Sequence, residues 1–315
     1  MIITIFLPKK VFSDEQLKRL LSLGEVRFSD VDSEMNIDDC ISLAKGSDIL
    51  GLDPDNLGGF EKAKERVTQL LEATPTVKGI ALATTSFGWI DREYCKKKGI
   101  PVLNIPGYSR EAVAEHTIAM LLCMAKRILI TDRKTQKGIY EKEMGFELKG
   151  KTLGIIGIGN IGTRIAELAQ GIGMNVIAYN RTPKIVSGVT MKSLEEVLSQ
   201  SDAIAFHTTH EDSNKNFIGA KEIAKMKKGV IIVNTADREI IDEDALAEAI
   251  KSGQVDMYAY EAEDLTSPPL GPLERAIGLK GFGYYTKEAI YNLFDIFIDD
   301  LKSLVDGKPQ NVVNK

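Results

Sequence analysis

The sequence predicts an α/β protein with two domains built on parallel sheets, and three observations support that class. Short apolar runs alternate with amphipathic helical patterns along most of the chain, which is typical of a parallel sheet covered by helices on both faces. The run Leu153–Ile156 is continuously apolar, as expected for a strand buried on both sides. The length of 315 residues suffices for two domains of ordinary size.

The part of the chain up to Asn104 predicts the first sheet. Apolar runs predict strands at Ile2–Leu7, Val26–Phe28, Asp48–Leu52, Gly79–Ala83 and Val102–Leu103. Helical patterns predict helices at Asp14–Leu23, Ile37–Lys45 and Lys62–Ala73. Parallel sheets bind ligands at the carboxyl ends of their strands. The loop after the fourth strand is therefore a candidate substrate loop, with Thr85, Ser86, Phe87 and Gly88.

The stretch Ser109–Lys137 is predicted to form one long helix, with Ser109 as its N-cap and Gly138 as its stop. Its middle is apolar on more than one face. We therefore expect the helix to pack between domains or against a second subunit. His116, near its start, is predicted to be a buried, hydrogen-bonded structural histidine rather than a catalytic one.

The stretch Thr152–Arg181 contains the motif G-x-G-x-x-G between a strand and a helix, with a second strand after it. In this context the first glycine permits a tight turn, the second lets the backbone approach a pyrophosphate, and the third lets helix and strand pack closely. The N-terminus of the helix offers unpaired N–H groups and partial positive charge to the diphosphate. The motif predicts dinucleotide binding, with contacts from Gly157, Gly159, Asn160, Ile161 and Gly162.

The alternation continues after Arg181. Strands are predicted at Ala203–Phe206, Val230–Val233, Met257–Tyr260 and Ile277–Gly281, and helices at Ser193–Gln200, Gly219–Met226 and Glu243–Ser252. Six strands make one complete doubly wound, Rossmann-type unit. The amphipathic pattern Lys287–Asp306 predicts a last helix that returns to the first domain. We therefore predict a dinucleotide-binding domain at 105–287, inserted into a smaller flavodoxin-like domain formed by 1–104 and 288–315.

Composition excludes several other classes of protein. Hydrophobic content of 43%, charged content of 27% and a net charge of −5 without a basic stripe indicate a soluble protein with no nucleic-acid contact. No apolar run approaches the ~18 residues of a membrane span, and the first residues read as a strand rather than a signal peptide. The three cysteines have neither metal-ligand nor disulfide spacing. We expect a cytoplasmic protein with reduced thiols and no metal site.

With these residues in view, the chain resembles the D-isomer-specific 2-hydroxyacid dehydrogenases, including phosphoglycerate dehydrogenases and glyoxylate and hydroxypyruvate reductases. The resemblance rests on Lys96–Leu122, on the glycine stretch, on Lys225–Ala236, on the run from Asp242 and on the C-terminal GKPQNVVN. It implies a cleft between two Rossmann-type domains, a homodimer through helix 109–137, NAD or NADP, and hydride transfer at a 2-keto/2-hydroxy carbon. It further implies cofactor contacts at His207, Thr208, Thr235, Ala236 and Glu261, with His210 close by.

The resemblance also implies a catalytic arginine, histidine and glutamate, and the chain carries other residues at their positions. The arginine position, directly after the N-T-A run, holds Asp237, and Arg238 follows one residue late. The histidine and glutamate positions hold Gly281 and Thr266. An aspartate repels a keto-acid carboxylate that an arginine would bind, so the usual 2-hydroxyacid is not the expected substrate. The remaining candidates for catalysis are Asp237, Arg238, Glu261, Asp264 and Tyr284, with Glu263 and Tyr285 beside them.

The end of the second strand of the glycine stretch, Asn180-Arg181-Thr182, bears on cofactor choice. Asn180 can bond a ribose hydroxyl, whereas Arg181 can pair with a 2′-phosphate. The segment therefore favours NADP over NAD, unless Arg181 is merely a solvated surface residue.

Three functional hypotheses follow. The first is an NAD(P)-dependent oxidoreductase with a rebuilt, acidic pocket for a neutral or cationic substrate, using Tyr284 or Tyr285 as proton donor. The second is a catalytically inactive dinucleotide-binding sensor or scaffold. The third is an ordinary 2-hydroxyacid dehydrogenase that uses Arg238.

Overall fold

The computed structural model describes residues 1–182, 184–208, 214–262 and 264–315. These fall into two compact units: Met1–Tyr108 with Lys287–Lys315 (unit 1), and Ser109–Thr286 (unit 2). The first segment of unit 1 ends at Tyr108, four residues beyond Asn104, where the sequence predicts the domain to end. Ile105 is fully buried in a hydrophobic cluster of unit 1, and Tyr108 packs against that cluster.

Unit 1 contains a five-stranded parallel sheet in the order β2-β1-β3-β4-β5, which is the flavodoxin-like order. Its strands are β1 (Ile2–Ile5), β2 (Glu25–Phe28), β3 (Ile49–Leu52), β4 (Gly79–Leu82) and β5 (Val102–Leu103). Its helices are α1 (Asp14–Leu21), α2 (Ile37–Ala44), α3 (Gly59–Ala73), α4 (Arg92–Lys97) and, from the end of the chain, α11 (Lys287–Val305). The sequence does not predict α4, because that helix has only six residues, four of them charged.

Helix α11 packs directly on the sheet of unit 1, because two glycines in the strands leave room for its side chains. A Cβ on Gly51 would lie 2.6 Å from the Phe297 ring, and one on Gly79 would lie 2.5 Å from Leu304. Phe297 is fully buried as a result. The C-terminal helix thereby completes the hydrophobic core of the unit in which the chain begins.

Unit 2 contains a seven-stranded parallel sheet in the order β12-β11-β10-β9-β6-β7-β8. Its strands are β6 (Thr152–Ile156), β7 (Asn175–Tyr179), β8 (Val189–Met191), β9 (Ala203–Phe206), β10 (Val230–Asn234), β11 (Val255–Glu261) and β12 (Ala276–Leu279). Its helices are α5 (Arg110–Ala125), α6 (Ile128–Gln136), α7 (Asn160–Gly171), α8 (Leu194–Gln200), α9 (Ala220–Ala224) and α10 (Glu243–Ser252). The predicted α/β class with two parallel sheets is confirmed. The prediction of six strands in this domain is wrong, because the three-residue edge strand β8 is too short and too exposed to show an apolar run.

The prediction of one long helix at 109–137 is also wrong. The segment forms α5 and α6, separated at Arg127, which adopts a left-handed conformation with φ of 59°. The Arg127 side chain turns into the protein, where it pairs with Asp256 at 2.7 Å. Ser109 does precede α5, but its side chain makes no capping hydrogen bond.

Candidate functional site

The glycine turn after β6 has the geometry that the sequence motif predicts. Gly157 has φ of 99°, and a Cβ there would lie 2.5 Å from the carbonyl oxygen of His207. A Cβ on Gly162 would lie 2.2 Å from the Gly157 carbonyl oxygen, so α7 can approach the turn only with glycine at that position. Gly159 has no other group within 4 Å of its Cβ position. Protein backbone atoms therefore crowd the turn at Gly157 and Gly162, whereas the space beside Gly159 is empty.

A cavity of about 400 Å³ adjoins this turn. It lies at the carboxyl ends of β6, β7 and β9, where the strand order reverses direction and where doubly wound sheets bind dinucleotides. Its lining includes seven residues predicted to bind the cofactor and three that were not predicted: Gly157, Gly159, Asn180, Arg181, Thr182, His207 and Thr208, with Tyr179, Asn214 and Phe217. Tyr179 could have been found as the last residue of its strand, whereas Asn214 and Phe217 carry no sequence signal.

The residues around the cavity fit a dinucleotide. Helix α7 begins after Gly159 without a side-chain cap, so its first N–H groups face the cavity and favour an anion. His207 Nε2 and Thr208 Oγ1 are buried and have no hydrogen-bond partner among the described residues. Buried polar atoms are normally paired, and a polar ligand in the cavity would supply their partners.

Two of the predicted cofactor contacts have additional roles within the protein. Asn180 accepts a hydrogen bond from the Ile158 N–H (3.1 Å) and donates one to the Thr182 carbonyl (2.6 Å), so it braces the turn. His207 shares a hydrogen bond with Thr235 Oγ1 through Nδ1 (3.2 Å), and burial lowers its pKa to about 3. The imidazole is therefore neutral near pH 7 and contributes hydrogen bonding rather than charge.

Asp237 and Arg238 lie after β10 in a short 3-10 turn. Asp237 is exposed, and its carboxylate accepts the Glu239 N–H at 2.8 Å. The Arg238 guanidinium forms two bonds to the Glu243 carboxylate (2.6 and 2.7 Å) and donates to the Asp264 carbonyl (2.9 Å). Bidentate pairs of this kind are strong and directional. The guanidinium of Arg238 is therefore already bound by Glu243 and by the Asp264 carbonyl. The side chain at position 237 is an exposed carboxylate.

Asp264 and Thr266 belong to one exposed turn. The Asp264 carboxylate accepts hydrogen bonds from the N–H groups of Thr266 (3.2 Å) and Ser267 (3.3 Å). The hydrogen bond from the Ser267 side chain, followed by these backbone bonds, holds the pKa of Asp264 below its usual range. Asp264 thus shapes the loop, and its carbonyl holds Arg238.

Glu261, the last residue of β11, forms the most enclosed cluster among the catalytic candidates. Its Oε1 accepts the N–H groups of Phe282 (3.1 Å) and Gly283 (2.7 Å). The same oxygen lies 3.5 Å from His116 Nε2, and the side chains of Glu261 and His116 are 16% and 10% exposed. His116 Nε2 has no hydrogen-bond partner among the described residues. The prediction of a hydrogen-bonded structural histidine is therefore wrong for this nitrogen.

Tyr284, the loop after β4 and two residues outside the described ranges complete the set of predicted site residues. Tyr284 is exposed and lies edge-to-face with Tyr285 at 6.0 Å. In unit 1, the candidate substrate loop follows β4. It is shaped by Thr85 Oγ1, which donates to the Ile105 carbonyl (3.2 Å), and by Trp89 Nε1, which donates to the Ser86 carbonyl (2.9 Å). Phe87 lies under Arg92, and Gly88 is exposed. His210 and Glu263 fall outside the described residues.

A membrane-spanning helix and a metal-binding cluster are both absent from the described residues. No helix in them is long and apolar enough to cross a membrane. No group of three or more histidine, cysteine, aspartate and glutamate side chains in them is arranged to hold a metal ion.

The fold and the glycine turn define a dinucleotide-binding protein of the Rossmann type. The family model for the NAD-binding domain of D-isomer-specific 2-hydroxyacid dehydrogenases matches residues 118–277. A hydroxypyruvate reductase from Blautia hydrogenotrophica is 31% identical over 96% of this chain and 96% of its own length. The chain therefore belongs to the D-isomer-specific 2-hydroxyacid dehydrogenase family, as its sequence predicts, and its cofactor is a nicotinamide dinucleotide.

Two solved structures resemble the whole chain. A glyoxylate reductase from Paecilomyes thermophila has a TM-score of 0.85 and 27% identity, covering 99% of this chain and 98% of its own. An acyclic imino acid reductase, solved in complex with NADPH and D-Arg, has a TM-score of 0.84 and 25% identity, covering 99% of this chain and 100% of its own.

Proposed function

We propose that this chain is an NAD(P)-dependent oxidoreductase acting by hydride transfer on a neutral or cationic carbonyl or imine, rather than on an anionic 2-keto acid. The observation that carries the proposal is the pair Asp237 and Arg238. The position of the substrate-binding arginine holds an exposed carboxylate, and the neighbouring guanidinium is bound by Glu243 and Asp264. A carboxylate at that position repels an anionic substrate and attracts a cationic one.

A bound nicotinamide would supply or accept the hydride, and this chain's residues would hold the dinucleotide and select the substrate. The uncapped first N–H groups of α7 would hold its diphosphate. The similar imino acid reductase supports a cationic substrate, because the ligand in its structure, D-Arg, carries a guanidinium. A suitable test panel therefore contains neutral ketones, amino ketones and imines of basic amino acids, beside glyoxylate and hydroxypyruvate.

The substrate-charge prediction is tested by Asp237→Asn, which keeps the turn-capping oxygen and removes the charge. We expect kcat/KM for a cationic substrate to fall about fivefold, since an exposed ion pair contributes up to about 1 kcal/mol. The value for glyoxylate should rise. Glu239→Gln, the same change two residues away, is the control. Reduction of glyoxylate alone, abolished by Arg238→Ala, would instead identify an ordinary 2-hydroxyacid dehydrogenase.

The alternative proposal is a catalytically inactive dinucleotide-binding sensor or scaffold. It is favoured by Gly281 and Thr266, which stand where the family resemblance implies the histidine and the glutamate. Calorimetry with NADH and NADPH, run beside the substrate panel, separates the two proposals. Binding without turnover of any compound supports the sensor, and turnover excludes it.

We propose NADP rather than NAD as the preferred cofactor, because Arg181 and Thr182 line the cavity beyond β7. Arg181→Ala should weaken NADPH binding about 10- to 100-fold, the value of a charge-assisted hydrogen bond of ~1.5–3 kcal/mol. NADH is the matched control, because it lacks the 2′-phosphate and should bind the variant unchanged. An equal loss of affinity for NADPH and NADH would show that Arg181 does not bind the 2′-phosphate.

We also propose a homodimer through the 109–137 region and a cytoplasmic location. The dimer is supported by exposed apolar side chains on and after this region, namely Leu122, Ile128, Ile139, Tyr140 and Met144. The location is supported by the three free cysteines, which are typical of a reducing compartment.

A further inference from the structure

The geometry points to His116 and Glu261 as an acid–base pair, in which Glu261 positions the ring through Nε2 and the other ring nitrogen, Nδ1, exchanges the proton with the substrate. This inference rests on the proposed oxidoreductase function. It assigns the proton to a histidine on α5 that the sequence predicts to be structural.

Glu261 lies at the carboxyl ends of the strands of unit 2, the end of the sheet at which the cavity beside the glycine turn also lies. Glu261 ends β11, and β6, β9, β10 and β11 are parallel neighbours whose carboxyl ends share one edge. Arg181 and Thr182 line the cavity on the β7 side of the switch point, where the adenosine half of a dinucleotide extends. The other half of a bound dinucleotide would then lie on the side of β9, β10 and β11, the last of which ends at Glu261.

Glu261 is fixed in place, whereas His116 has unused hydrogen-bonding capacity. Two backbone N–H groups, of Phe282 and Gly283, bind Glu261 Oε1. The Phe282 ring meets the His116 ring edge-on, with centroids 5.1 Å apart. The His116 side chain is 90% buried, being 10% exposed, and its Nε2 is unpartnered among the described residues. Such a nitrogen is costly to bury, unless it carries a proton directed toward Glu261, 3.5 Å away.

Gly283 permits the close approach of the two side chains. A Cβ at this residue would lie 3.0 Å from His116 Cδ2 and 3.1 Å from Glu261 Oε1. Both distances are tighter than ordinary van der Waals contact, so a methyl group there would push the two side chains apart. Gly281 has no atom within 4 Å of its Cβ position, so it provides a matched control.

The electrostatics suit a proton that moves in both directions. Burial lowers the pKa of His116, while the charge of Glu261 opposes that shift. In the reductive direction, the substrate carbon gains a hydride from a reduced nicotinamide dinucleotide, and its oxygen or nitrogen gains the electron pair of the broken π bond. That atom takes the proton from His116 Nδ1, and the ring becomes neutral and recovers a proton from solvent. The neutral imidazole takes the proton in the oxidative direction.

The first readout is independent of turnover. The chain has three histidines, so the His116 ring can be assigned by NMR in the cofactor-free protein by comparison with His116→Gln. Glu261→Gln keeps an acceptor for the two N–H groups and removes the charge, so the pKa of His116 should fall further. Gly283→Ala should change it as well. Glu115→Gln, an exposed acid beside His116 on α5, and Gly281→Ala should leave the titration unchanged.

The second readout is kinetic. His116→Gln and His116→Ala should lower kcat about 10²- to 10⁴-fold on the best substrate of the panel, the usual contribution of a general acid–base group, with the cofactor Kd unchanged. Glu261→Gln should shift the pH dependence of kcat to lower pH, and Glu115→Gln should not.

Each outcome is decisive. If both His116 variants fold and keep kcat within about threefold of the parent, this inference falls and the oxidoreductase proposal stands. If Glu261→Gln leaves the His116 titration unchanged, the pair does not exist. If the parent protein binds cofactor but turns over no panel compound, the oxidoreductase proposal fails and the acid–base role fails with it.

Discussion

Replacing Gly159 with alanine should abolish dinucleotide binding while the fold stays intact. The Cβ position of Gly159 meets no other group within 4 Å, and its φ of −75° suits any residue. The methyl group would instead project to the place where the backbone must approach a pyrophosphate. We expect the Kd for NADPH to rise at least 100-fold, measured by calorimetry, with the melting temperature unchanged within about 2 °C.

Two neighbouring glycines provide the contrast. Gly157→Ala forces a side chain to φ of 99° and brings its methyl group to 2.5 Å from a backbone oxygen, so both stability and binding should fall. Gly171→Ala, at the end of α7 with open space around it, should change neither. Tight NADPH binding by the Gly159 variant would mean that the diphosphate does not lie on this turn.

The difference between local and distant contacts explains which features the sequence predicts. The glycine turn, β6, α7 and β7 are coded within one continuous stretch, and their spacing alone constrains the geometry. The break after α5 falls instead at Arg127, whose side chain pairs with Asp256, a residue far along the chain. No helical pattern in the 109–137 stretch contains that information.

The candidate site divides in the same way. The sequence predicts Asp237 and Arg238 as neighbours of opposite charge, but it does not show that Glu243 and Asp264 bind the guanidinium. The sequence also does not predict the pairing of His116 with Glu261. It depends on α5 and β11 meeting in unit 2 and on a glycine at 283 that leaves room for both side chains.

Replacing Arg127 with methionine should lower the free energy of unfolding by about 3 kcal/mol, because it breaks a buried charge network. Arg127 is 8% exposed and lies 2.7 Å from Asp256 and 3.5 Å from Glu143. Arg275 contacts the same two acids, so each carboxylate lies between two guanidinium groups. Without Arg127, both acids remain partly buried and keep one partner each, which places the loss at the lower end of the range for a broken buried pair.

Urea denaturation measures this loss, and two further variants separate its causes. Arg133→Met removes an arginine from an exposed position of α6 and should change stability by less than about 0.5 kcal/mol. Arg127→Gly also breaks the network but relieves the left-handed backbone strain, so it should be about 1 kcal/mol more stable than Arg127→Met. If Arg127→Met were as stable as Arg133→Met, the network would not be what ends α5 at this point. The break between α5 and α6 would then be attributed to the packing of Phe146, whose N–H donates to the Ala125 carbonyl at 2.9 Å.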